Sequence, residues 1–142
     1  MADLSVTATQ VLVSVASGTY NGTAGETITA GQPLYVSTGS TLMIADANAT
    51  TSATTVASVK GIALNGGATG QPIQVQTGGT ITIGAGAAPA VGTVYRLSET
   101  AGGIAPVGDT TNSHYVSIIG VGGASNTIKL SIYNSGVTSS AS

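Results

Sequence analysis

Gly31-Gln32-Pro33-Leu34-Tyr35-Val36-Ser37 is answered later in the chain by Gly92-Thr93-Val94-Tyr95-Arg96-Leu97-Ser98. Each stretch runs on to an acid, Asp46 or Asp109. Each then reaches a Ser-x-x-Gly-aliphatic step, Ser58-Val59-Lys60-Gly61-Ile62 and Ser117-Ile118-Ile119-Gly120-Val121. A Gly pair follows in both (Gly66-Gly67, Gly122-Gly123), and both close on an alternating segment, Ile73-Gln74-Val75 and Ile128-Lys129-Leu130. Short alternating runs separated by Gly-rich turns are the signature of strands. Their doubling predicts an all-β fold, a compact barrel or sandwich of many short strands, with pseudo-repeated halves at about 30–79 and 91–136.

Outward from the repeat, residues 7–15 alternate with Thr7, Thr9, Val11, Val13 and Val15 on one face, which predicts an N-terminal strand or arm within residues 1–24. Tyr20-Asn21-Gly22 reads as a turn. Pro33 opens a strand through Ser37, Thr38-Gly39-Ser40 turns the chain, and Thr41–Ala45 returns it. Residues 47–58, rich in Ala and Thr, suit a short helix or an irregular loop. Gly78-Gly79 between Ile73-x-Val75 and Ile81-x-Ile83 signals a hairpin. Val94–Leu97, Tyr115–Val121 and Thr127–Tyr133 are the later strands, and the Ser-rich segment 134–142 reads as a flexible tail. With 142 residues the chain fits one domain, its barrel core at 25–133.

Composition narrows the function. Phe, Trp and Cys are absent, so Val, Ile, Leu, Ala and five Tyr must fill the core. Charged residues are 6% of the chain, against about 25% in an average domain. A surface so short of charge does little to repel neighbours and suits a chain that lives in an assembly. Net charge is −2, with Lys60, Arg96 and Lys129 as the firm cations, too few to neutralise a nucleic-acid backbone. No apolar run approaches the ~20 residues that span a bilayer, and Met1-Ala2-Asp3-Leu4 lacks the basic and apolar regions of a signal peptide.

Chemistry-bearing residues are sparse. His114 is the single histidine; Ser113 and Asp109 are near it in sequence, but no Gly-x-Ser-x-Gly elbow accompanies them. Asp3, Glu26, Asp46, Glu99 and Asp109 are scattered and read as turn acids. Neither a metal set nor a phosphate-binding Gly-rich loop stands out, so no catalytic residue, cofactor or metal is expected. Tyr is a favoured interface residue, and Tyr20 in its turn is the first candidate for a partner contact. Leu4, Val6, Val11 and Val13 of the arm are the others.

Several runs resemble the small bacteriophage capsid cement, or head decoration, proteins. Gly25-Glu26-Thr27-Ile28-Thr29-Ala30-Gly31-Gln32-Pro33-Leu34-Tyr35 resembles their aliphatic-x-Ala-Gly-x-Pro-aliphatic opening. Lys60-Gly61-Ile62-Ala63-Leu64 resembles the next step, and Gly70-Gln71-Pro72-Ile73-Gln74-Val75 the strand after it. Gly92-Thr93-Val94-Tyr95, Ile119-Gly120-Val121 and Ile128-Lys129-Leu130 fall where a second half belongs, so the resemblance covers about residues 24–133. It implies a β-barrel structural protein of the virion, made in the bacterial cytoplasm. Such a protein binds the outer surface of the expanded head as a homotrimer at quasi-threefold positions, with the major capsid protein as partner and neither nucleic acid nor membrane. The competing readings are a structural domain of a tail fibre or tail tip and, from another class, a small carbohydrate-binding or hydrolytic domain. The missing Trp and lone His weigh against the last.

Overall fold

A computed structural model of the chain describes residues 11–16, 18–47, 58–83, 89, 91–98, 102–106, 115–124 and 126–138. Among them every regular element is a strand. β1 (Leu12–Ala16) and β2 (Thr19–Ala24) lead into β3 (Pro33–Val36), β4 (Thr41–Ile44), β5 (Gly61–Ala63) and β6 (Pro72–Gln76). β7 (Gly79–Thr82), β8 (Val94–Leu97), β9 (Ile104–Pro106), β10 (Tyr115–Gly123) and β11 (Thr127–Thr138) follow. They form a closed barrel, β2-β4-β3-β5-β6, and a six-stranded sheet, β1-β7-β11-β10-β8-β9.

Apart from β1 and the parallel β2–β4 pairing that closes the barrel, the two units repeat one arrangement. β2-β6-β5-β3-β4 and β7-β11-β10-β8-β9 have one strand order, and their registers agree residue by residue. Pro33 lies opposite Ile62 and Leu34 opposite Gly61; Val94 lies opposite Val121 and Tyr95 opposite Gly120. Leu34 faces Ile44 and Val36 faces Leu42, as Tyr95 faces Pro106 and Leu97 faces Ile104. The turn bonds repeat too. Gly31 N–H donates to Ala63 C=O at 2.8 Å and Gly92 N–H to Gly122 C=O at 2.9 Å. Ser37 N–H donates to Thr41 C=O at 2.8 Å and Ser98 N–H to Gly103 C=O at 3.0 Å.

The shared glycines have physical causes. Gly31 and Gly92 hold φ of 93° and 83°, a region costly for any residue with a Cβ. At Gly61 a Cβ would strike the Gln76 carbonyl, and at Gly120 the Lys129 carbonyl. Gln76 and Lys129 are thus matched, and so are Val75 and Ile128, which face Ala63 and Gly122. The sequence pairing of Ile73 with Ile128 is therefore out of register, and Val75 is the true counterpart.

Three further expectations change. Tyr20-Asn21-Gly22 is the middle of β2, paired with β6 through Tyr20 opposite Val75 and Gly22 opposite Ile73. Gly78-Gly79 is not a hairpin, because β6 belongs to the barrel and β7 to the sheet. Instead β1-β2 and β6-β7 form one bent antiparallel ribbon that crosses between the units. It runs from Thr23 opposite Pro72 to Thr19 opposite Gln76, through Thr77 N–H to Gly18 C=O at 3.0 Å, and on from Ala16 opposite Gly79 to Leu12 opposite Thr82. The Gln76 amide pins the bend, its Nε2 donating to Gly78 C=O at 2.8 Å and Thr80 C=O at 3.0 Å. Finally, β11 continues through Thr138, so residues 134–138 are strand and not tail. Residues 48–57, the ambiguous Ala/Thr stretch, lie outside the described residues.

Two cores result. Ala24, Ile28, Leu34, Leu42, Ala63, Ile73 and Val75 fill the barrel. The second core joins the inner face of the sheet (Ile81, Tyr95, Leu97, Ile104, Ile119, Ile128, Leu130) to residues of the barrel's outer wall, Ile62 with partly buried Ala30, Tyr35 and Leu64. Alternation explains the split: in β3, Leu34 points into the barrel while Tyr35 points out toward the sheet. The outer wall of the first unit thus covers the inner face of the second.

Candidate functional surface

Several polar side chains hold backbone in place. Glu26 Oε2 accepts from Ile44 N–H at 2.9 Å. Asn65 bridges β5 and β6, accepting from Gln74 N–H at 2.7 Å and donating to Pro72 C=O at 3.1 Å. Asn134 clasps the two units together: its Oδ1 accepts from Val59 N–H at 2.8 Å while its Nδ2 donates to Val59 C=O at 3.0 Å. The Tyr35 phenol titrates above its usual range, chiefly because it is taken from water and secondarily because Glu26 is near.

No reaction centre assembles from these groups. Among the described residues no three His, Cys, Asp or Glu side chains gather as they would around a metal ion. A hollow of about 250 Å³ opens between residues 29–32 and 102–104, but none of its lining residues is titratable. His114 and Asp109 lie outside the described residues.

The candidate contact residues are placed as follows. Leu4 and Val6 lie outside the described residues. Val13 pairs by its backbone with Ile81. Val11 is a correction: it is 5% exposed in the core between the units, carried inward at the start of the ribbon, and offers no surface to a partner. Tyr20 is half-buried against the barrel core, with the Lys60 ammonium 4.9 Å from its ring centroid, a cation–π distance. It closes the barrel wall and is not a free turn side chain.

A different surface emerges on the outer face of the sheet. Directly paired residues share a face, and Tyr133 pairs with Ile118, which pairs with Arg96. The next row joins Lys129 to Val121. Tyr133 is 65% exposed, Lys129 is exposed, and Ile118 and Val121 are partly exposed. Arg96 is 0% exposed, and its Nε and both terminal nitrogens have no hydrogen-bond partner. Two of the chain's three firm cations therefore project from one side of the sheet, Lys129 into solvent and Arg96 into the protein. The described acids, Glu26 and Asp46, belong to the other unit. Sequence reading passed over this surface because Arg96 looks like an ordinary polar strand residue. Its place opposite Tyr35 in the repeat was the available signal.

No family model matches this chain, and no curated protein matches it either.

Proposed function

We propose that the chain is a structural protein of a bacteriophage virion, a cement or decoration protein. In this reading it binds the outer surface of the expanded head as trimers at quasi-threefold positions and stabilises the shell against internal pressure. The supporting observation is the register-matched pair of β units. Repetition of one folded unit suits a building block. The shortage of charge supports close packing against neighbours. A trimer touching several subunits gains avidity, since its second and third contacts form at high effective concentration. Binding only the expanded lattice stabilises that lattice by mass action.

The test is direct. The purified protein is mixed with expanded heads that lack it, and the particles are imaged by electron cryomicroscopy. Added density at threefold positions is the expected result. Heads that remain bare at saturating protein would refute the reading.

A further inference from the structure

We propose that Asn65-Gly66 is a site of covalent self-modification in the folded chain. The Gly66 nitrogen closes on the Asn65 side-chain amide, ammonia leaves, and water opens the resulting ring to aspartate or isoaspartate. The chain has two Asn-Gly pairs, Asn21-Gly22 and Asn65-Gly66, and the fold treats them differently. The proposal stands apart from the cement reading.

The nucleophile supplies the first reason. Ring closure needs a backbone N–H that can give up its proton, beside a residue that does not block the approach. Gly22 lies opposite Ile73 in the β2–β6 ladder. That ladder is bonded on either side of the pair, by Ala24 N–H to Gln71 C=O at 2.9 Å and by Thr77 N–H to Gly18 C=O at 3.0 Å. Bonded pairs alternate along an antiparallel ladder, so the Gly22 N–H is engaged with Ile73. On the opposite edge Thr23 N–H donates to Ser40 C=O at 2.9 Å, which holds the next peptide as well. Gly66 lies outside the strands, and both Asn65 and Gly66 are exposed. Among the described residues nothing accepts from the Gly66 N–H. A Cβ at residue 66 would come to 2.9 Å from the Ile28 carbonyl oxygen, so the fold keeps glycine, the least obstructive neighbour, at this place.

The electrophile supplies the second reason. Asn65 Oδ1 accepts from Gln74 N–H at 2.7 Å. That donor faces the atom on which negative charge gathers as the ring forms, the arrangement of an oxyanion hole. Asn65 Nδ2 is 3.3 Å from Gly66 C=O, which keeps the amide folded over the residue that attacks it. In the reaction the Gly66 N–H gives its proton to solvent base, the bond from Gly66 N to Asn65 Cγ forms, and the Cγ–Nδ2 bond breaks. Nδ2 takes a proton from water and departs as ammonia. Water then adds to either ring carbonyl, so the sum is amide plus water giving acid plus ammonia. The new carboxylate can still accept from Gln74, but it has no donor for Pro72 C=O, which Nδ2 had met at 3.1 Å. Modification therefore weakens the bridge between β5 and β6 and adds a negative charge to the barrel.

The experiment incubates folded wild type, and wild type held in denaturant, in mildly alkaline buffer. Peptide mapping by mass spectrometry follows Asn21 and Asn65 separately over time. Folded Asn65 should react within about tenfold of its rate in the denatured chain. Folded Asn21 should react at least about a hundredfold below its own denatured rate, since reaction there waits for the ladder to open. Aspartate and isoaspartate should both appear at position 65. Asn65→Asp, which installs one product in advance, should melt below wild type. If that variant fails to fold, the wild-type time course still decides the question. Equal protection of the two sites in the folded chain, or reaction at Asn65 only in denaturant, would overturn the proposal. Wild-type melting of Asn65→Asp would overturn the claim that modification loosens the bridge. None of these outcomes depends on whether the chain binds a phage shell, so the two readings fail separately.

Discussion

Ile62 and Val121 hold the same place in the two units, opposite Pro33 and Val94, yet their surroundings differ. Ile62 is fully buried where the barrel wall meets the sheet, while Val121 is partly exposed on the outer face. Ile62→Ala removes three carbons from the core. At about 0.8 kcal/mol per buried methylene the transfer loss is about 2.4 kcal/mol, and a residual cavity brings the total to about 3–4 kcal/mol. That is a large share of the roughly 5–15 kcal/mol by which domains are stable, and it lowers the melting temperature by about 10 °C for a chain of this length. Val121→Ala should cost less than about 1 kcal/mol. Urea unfolding followed by circular dichroism, with equal denaturant slopes for both variants, measures the difference. Equal losses, or a loss below about 1 kcal/mol at Ile62, would refute the claim that the first unit's wall completes the core of the second.

Three other outcomes follow from the structure. Gly61→Ala and Gly120→Ala should each destabilise by about 1–3 kcal/mol, since each new methyl meets a cross-strand carbonyl that cannot swing away; thermal melts of both variants check this, and a tolerated pair would break the equivalence. Asn134→Ala removes both bonds to Val59 and should cost about 1–2 kcal/mol, with hydrogen exchange quickening at the Val59 amide, whose donor it frees. Tyr35 has a raised pKa in the folded state, so its neutral form is favoured there. The stability it confers is complete below the unfolded tyrosine pKa and declines as pH rises from there through the folded value. Phenolate absorbance in a pH titration should show a late-ionising component that Tyr35→Phe removes and Glu26→Gln moves earlier.

Much of the fold was legible because each local choice agreed with the global one. Pro33 starts a strand where its missing N–H is harmless, and Gly31 and Gly92 mark equivalent bends. The failures have physical causes. A strand pattern repeats every second residue, so Ile73-x-Val75 can slide against Ile128-x-Leu130 without any apolar mismatch. Only the backbone clash at Gly61 and Gly120 fixes the register. Gly78-Gly79 has hairpin chemistry, but Gln76 holds that corner so that the chain changes layers. Tyr20-Asn21-Gly22 has turn composition, yet β6 gives β2 a partner and Gly22 fits under the Ser40 carbonyl. β9 is too short, at three residues, to leave a periodic signal. The burial of Arg96 was hidden for another reason: it becomes visible only when Arg96 is compared with Tyr35, its counterpart on the wall between the units.

The bent ribbon that ties the units also sets an order of events during synthesis. β1 and β2 leave the ribosome before the other described strands, but their ribbon partners are β7, the first strand of the second unit, and β6, the last strand of the first. The earliest strands must wait with bare edges while the intervening chain is translated, and unpaired edges are sites of mispairing. Closing that long loop is slow compared with a local hairpin. Once Thr77 meets Gly18, the barrel gains its last wall and the second unit gains its first strand in a single step. Assembly of the two halves is thereby coupled in time as well as in space.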